Sequence, residues 1–201
     1  MKTPRLGRGA LHVRVERADF SIDLINVHLK SKLLTFPGGK FSTTDEDLRA
    51  RVAAQALARR AAEAAAVRAV VSKLRAEQRP VIVLGDLNDV PSAATTQILL
   101  GPGGSAIETR GFALPDLGDA QRLWNLSALV AEERRFSRVH NGHREMLDQI
   151  LVSEELARSG RWRCSVDARV EGLRSIGDDP GAEVGATRPD HAAVTLSLNA
   201  P

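Results

Sequence analysis

Apolar and polar residues alternate from Leu11 to Glu16 (Leu-His-Val-Arg-Val-Glu), the period-two pattern of a strand with one face buried. Arg17-Ala18-Asp19 turns the chain into a second strand, Ile22 to Leu29, where so few positions are polar that cover on both faces is expected. Pro37-Gly38-Gly39 then breaks the pattern. Thr43 to Gln78 reads as one long helix. Thr43 and Glu46 have capping-box spacing, and Asp45, Glu46 and Asp47 set negative charge at the positive end of the helix dipole. Lys73 and Arg75 lie near the other end. Leu48, Val52, Leu57, Val67, Val70, Val71 and Leu74 supply an apolar face, and the length leaves room for a kink.

After Pro80, the run Val81-Ile82-Val83-Leu84 predicts a buried central strand. Gly85 to Pro91 is a loop, and Ser92 is placed to cap a short helix over Ala93 to Leu100. Gly101 to Asp119, rich in Gly and Pro, predicts a long surface loop. Arg135 to His140 and Met146 to Val152 predict a strand pair around Asn141-Gly142. Trp162 to Val170 predicts a further strand, Gly172 to Ala186 a second long loop, and Ala193 to Leu198 a last strand. There is no internal repeat. Strands, one large helix, then strands with turns predict an α/β or α+β layered fold.

Composition narrows the field. At 201 residues, 43% hydrophobic and 26% charged, the chain is expected to form a single domain over 1–201. The formal net charge of +3 suits an anionic substrate without arguing for nucleic-acid binding. Aromatics are 3% and Tyr is absent, so platforms for stacking single-stranded bases are scarce. The lone Cys164 excludes an intrachain disulfide, and no apolar run nears the ~18 residues of a membrane span. Met1 to Ala10 is not a secretory signal, and a cytoplasmic location is the expectation if Met1 is the true start.

Chemistry-bearing residues fall at four predicted strand ends: Asn26-Val27-His28-Leu29-Lys30-Ser31, Gly85-Asp86-Leu87-Asn88-Asp89, Met146-Leu147-Asp148-Gln149-Ile150 and Arg188-Pro189-Asp190-His191-Ala192. Each has a plain structural reading. Gly-Asp-Leu-Asn makes turns, a lone His is often a hydrogen-bonded core residue, and Asp190-His191 after a proline fits a loop. Asp148 resists such a reading, because a carboxylate within an apolar strand needs a partner. No His or Cys spacing makes a zinc motif.

From Leu11 to Leu198, and most strongly at "NVHLKSK", "VIVLGDLNDVP", "LDQILVS" and "RPDHAAVTLSL", the chain resembles the C-terminal portion of the catalytic domain in the endonuclease/exonuclease/phosphatase superfamily. The resemblance implies a metal-dependent hydrolase of phosphate esters on part of a four-layer α/β/β/α, DNase I-like sandwich. It implies that His28 contacts the scissile phosphate, that Asp86 and Asn88 position the phosphate and attacking water, and that Asp148 and His191 form a carboxylate–imidazole pair. Asp190, Asp86 and Asn88 are the expected metal residues, with Lys30 as a further positive partner of the phosphate. Oxygen donors imply Mg²⁺ or Mn²⁺. The substrate is expected to be a phosphate ester, nucleic acid among the candidates, and its identity lies in the long loops. The family's early asparagine and its metal-binding glutamate would lie before Met1. An N-terminally incomplete sandwich is therefore expected, one that folds poorly alone or dimerises, and a non-catalytic anion- or protein-binding module is the competing reading. Gln149 departs from the aromatic or histidine of many relatives, and alternation turns it away from the Asp148 face.

Overall fold

The computed structural model describes residues 7–17, 20–107, 109–158, 163–168 and 189–199. Its centre is a five-stranded sheet in the order β1-β2-β3-β7-β4. The strands are β1 (Ala10–Arg17), β2 (Phe20–His28), β3 (Val81–Asp86), β4 (Leu123–Asn125) and β7 (Asp148–Ser153). β2 and β3 are parallel, joined by the helix α1 (Glu46–Ala76), and the other pairs are antiparallel. A parallel pair needs such a crossover, and the long helix supplies it.

Side chains leave the sheet alternately on its two faces. Ile25, Val27, Val81, Val83 and Leu151 pack under Ala64, Val67, Val71 and Leu74 of α1. Ile22, Ile82, Ile150 and Val152 pack on the opposite face with Trp124, Leu126 and Leu156. There Val194 joins them from β9 (Val194–Asn199), which pairs antiparallel with β8 (Arg163–Ala168). Helix, sheet and ribbon give an α/β/β order, as the DNase I-like expectation requires. The short helices α2 (Ala94–Leu100) and α3 (Glu154–Ala157) flank the sheet. No helix among the described residues is long and apolar enough to cross a membrane.

Several expectations need correction. All eight residues of β1 are exposed, with Leu11 at 62%, because it is an edge strand paired only with β2 and nothing described covers its apolar face. β2 is not covered on both faces throughout, since Asn26 and His28 are exposed. Asp45 caps α1, its Oδ1 accepting from Leu48 N at 2.9 Å, while Thr43 Oγ1 accepts from Asp45 N at 3.1 Å; the predicted box is therefore displaced. Leu57 and Val70 are exposed, and the buried helix face instead runs back from Leu74 through Glu63 and Arg60. Ala93, not Ser92, is the N-cap of α2, without a side-chain cap.

The Asn141-Gly142 turn is present, with φ of 48° and 74°, but it joins β5 (Arg138–His140) to β6 (His143–Glu145). β7 is a separate strand of the main sheet. The loop from Gly101 to Asp119 is tied down. The buried Arg122 guanidinium donates to Pro102 O at 2.9 Å, Gly103 O at 2.6 Å and Asp116 Oδ1 at 2.8 Å, and also bonds Asp119. β4, just beyond it, carries too short an apolar run to read as a strand. The predicted loop Gly172 to Ala186 and Arg188 lie outside the described residues.

Candidate active site

Three of the predicted residues stand in one row. Register pairs His28 of β2 with Asp86 of β3, and Asp86 with Asp148 of β7. His28 lies four residues after Leu24, Asp86 two after Leu84 and Asp148 two before Ile150, so all three share the face opposite α1. His28 Nε2 lies 3.3 Å from Asp86 Oδ2 and also contacts the Arg8 guanidinium.

Gly85 makes the row possible. Its φ is +126°, and a Cβ there would meet Val27 O at 2.0 Å, so no other residue lets β3 lie this close to β2. Beyond Asp86 the chain folds back on itself. Asp86 Oδ1 accepts from Asn88 N at 2.8 Å and Oδ2 from Asn88 Nδ2 at 3.0 Å, with Asn88 at φ +52°. Asn88 Nδ2 also donates to Leu29 O at 3.0 Å, joining the two loop starts.

His191 arrives from outside the sheet. Its Nδ1 lies 2.6 Å from Asp148 Oδ2, and Ala192 N donates to Ser137 O at 2.7 Å. Ser137 is fully buried, and its Oγ accepts from both Leu147 N and Asp148 N at 3.0 Å. One serine thus joins both members of the pair. The bond to Asp148 raises the His191 pKa above the ordinary imidazole value, and the charges of Asp148, Asp86 and Asp190 act in the same direction. Burial, aided by the charge of Asp148, pushes the Asp86 carboxyl up.

Ligand atoms of Asp86, Asp148 and His191 all lie within 4.8 Å of one another. Asp190 stands outside this group, 62% exposed, with Oδ2 4.0 Å from His191 Nε2. Lys30 turns into its own loop, donating to Ser31 O and Leu33 O at 3.0 Å, so its ammonium is not placed among the cluster. Gln149 is fully buried on the α1 face, as alternation predicts, donating to Asp89 O at 2.6 Å and accepting from Asn125 Nδ2 at 2.6 Å.

The residues that support the site went unread in the sequence. Asp89 Oδ2 accepts from Arg60 Nε at 3.0 Å and Thr95 Oγ1 at 2.7 Å. Arg60 also donates to Lys30 O at 3.1 Å, and Glu63 Oε2 accepts from Lys30 N at 2.7 Å. The available signal was two charged residues, Arg60 and Glu63, continuing the spacing of Val67 and Val71 on the buried helix face.

A sequence model of the Endonuclease/Exonuclease/phosphatase family matches residues 3–169. No curated protein sequence matches the chain. Among solved structures, a beta toxin from Staphylococcus aureus superposes with a TM-score of 0.45 at 13% identity, over 94% of this chain and 56% of the toxin. The human Nocturnin catalytic domain with bound sulfate gives 0.38 at 14%, over 80% and 42%. Sphingomyelinase C from Streptomyces griseocarneus gives 0.37 at 16%, over 80% and 48%. The chain thus spans about half the length of these structures. With the family's sequence model matched from near the first residue to beyond the Asp148 strand, the chain belongs to the endonuclease/exonuclease/phosphatase family.

Proposed function

We propose that the chain serves hydrolysis of a phosphate ester, with His191 as general base and Asp148 as the carboxylate that orients it. The observation that carries this is the 2.6 Å contact between His191 Nδ1 and Asp148 Oδ2, two residues from the far ends of a strand and a loop. With Nδ1–H donated to Asp148, the Nε2 lone pair is free to take a proton from water. Asp148 then stabilises the imidazolium, and the Asp190 carboxylate beside Nε2 adds to that. His28, at the other end of the row, donates to a phosphoryl oxygen. Asp86 and Asn88 fix the position of the phosphate and water between them.

The residues fit a divalent ion. Asp86 and Asp148 bring two carboxylates together, and burial with mutual repulsion already disfavours charge on Asp86. A cation would offset that cost. Asn88 spends its amide N–H on Asp86 and Leu29, which leaves Oδ1 as its donor atom to a cation. These oxygen donors suit Mg²⁺ or Mn²⁺. When bound, the ion polarises the phosphoryl oxygen and neutralises charge developing there.

The test is hydrolysis of bis(p-nitrophenyl) phosphate by the purified chain with Mg²⁺, with Mn²⁺ and with EDTA. Turnover is expected with metal and absent in EDTA. His191→Ala is expected to lower it about 100- to 10,000-fold, the usual contribution of a general base. No turnover from a folded chain would leave two readings, an enzyme that needs sequence preceding Met1 or an anion-binding module, and repeating the assay with that sequence restored decides between them.

A further inference from the structure

From Arg134 to Arg144 the chain carries Arg134, Arg135, Arg138, His140, His143 and Arg144 and no acid, and the reaction above uses none of them. Strand β5 leaves directly from Ser137, the residue bonded to both Asp148 and the His191 segment. The hairpin is therefore rooted in the site. Register sets Arg138 opposite Glu145 and His140 opposite His143, so all four share one face. Glu145 Oε1 accepts from Lys32 Nζ at 2.6 Å, in the loop that follows His28. The hairpin is thus tied to the loop that follows β2. Arg144 projects on the other face, its guanidinium 4.5 Å above the Phe136 ring.

Arg138 is half-buried and has neither a carboxylate nor a hydrogen-bond acceptor among the described residues, and its Nε is shielded from solvent. The acid opposite it is engaged by Lys32. Two positions along, the Asn141 amide donates to His140 Nε2 at 3.3 Å, which assigns the proton of the neutral ring to Nδ1. That Nδ1 is also buried without a partner. Both unmatched groups are donors, and one belongs to a permanent cation. Leaving such groups unmatched is costly, and an oxyanion supplies what both lack.

We propose that the β5–β6 hairpin binds a second phosphate of the substrate, through Arg138 with His140. The substrate class is then a phosphate ester bearing at least two phosphates, with the scissile one at the Asp148–His191 cluster. The inference rests on the phosphoesterase reading for what occupies that cluster, and on the hairpin alone for the second anion.

Calorimetric titration of the His191→Ala chain in Mg²⁺ separates the two. Thymidine 3′,5′-bisphosphate is expected to bind about tenfold tighter than thymidine 5′-monophosphate, the difference made by one charge-assisted contact. Arg138→Gln is expected to remove that difference, and Arg144→Gln, the same charge change on the opposite face, to leave it intact. Should Arg138→Gln fail to fold by circular dichroism, Arg138→Lys, which keeps the charge but not the fork, is read for a reduced difference. Equal binding of the two ligands, or equal effects of the two hairpin variants, would overturn the proposal. Absence of hydrolysis leaves this titration intact, since it needs no turnover. Inositol 1,4-bisphosphate and a short oligothymidylate give the source: tighter binding of the first assigns a phosphorylated small molecule, of the second a polynucleotide, and both keep the subsite.

Discussion

A carboxylate as enclosed as that of Asp89 has to be matched by positive charge or N–H and O–H donors, and Arg60 and Thr95 do so. Breaking a buried pair from one side strands the other charge. Asp89→Ala is therefore expected to cost about 3–5 kcal/mol in urea unfolding. A second residue-scale expectation concerns pH. The bond to Asp148 raises the His191 pKa, so the imidazole becomes a free base only above the ordinary imidazole range, and the acid limb of turnover should lie there. The stabilising contribution of the pair runs in the opposite sense: it is complete below the unfolded value and is lost as pH rises through the raised one. Asp148→Asn should move the acid limb to lower pH and slow turnover, as a pH–rate profile would read. At this scale the sequence was legible where polar residues interrupt apolar strands. Asp148 announces itself against Ile, Leu and Val, whereas His28, Asp86 and His191 each fit a plain structural reading and stood out only as an ordered set at strand ends. Arg60 and Glu63 did not, since in an Ala- and Arg-rich helix a buried charge looks like a solvated one. Ser137 gave no signal because its role is set by contacts distant in sequence.

At the scale of elements, β2 and β3 approach through Gly85. Gly85→Ala must move Val27 O or abandon φ +126°, and a loss of at least about 1–3 kcal/mol is expected by thermal or urea unfolding. The segment Gly101 to Asp119 gives an independent test. Arg122 above all, then the N–H groups of Gly118 and Ser105, hold the Asp116 carboxyl far below the usual carboxylate range. A depressed pKa means that the contribution is present above about pH 4 and fades as pH falls further. Amides of this segment should lose protection against hydrogen exchange at pH 3 relative to pH 7, after correction for intrinsic rates, and Asp116→Asn should abolish most of that dependence. Composition alone showed a loop here, and it could not show that one arginine gathers it. The central strand and the long helix were legible because periodicity is local. β4 and the separation of β7 from the hairpin were not, because strand pairing is decided by packing.

For the whole molecule, the notable surface is the face of β1. Leu11, Val13 and Val15 lie opposite Asn26, Leu24 and Ile22 and are exposed in a row on an edge strand. Edges of this kind recruit other edges. Val13→Lys should lower aggregation of the chain in light scattering while changing its melting temperature little, since Val13 gives up little burial. The sequence foretold an apolar stripe on this strand, but not that it would face outward, because alternation says which residues share a side and not what covers it.

The row across β2, β3 and β7 has a consequence for the order in which the site comes into being. Two of its strands and their crossover helix are synthesised first, then β7, and His191 leaves the ribosome more than forty residues after Asp148, by the 43-residue separation of the pair. A growing chain can therefore set His28, Asp86 and Asp148 in line long before His191 is available to pair with Asp148. Until the segment carrying His191 docks on Ser137, the row stands without the imidazole that pairs with Asp148, and the cluster closes only when parts of the chain made well apart in time have met.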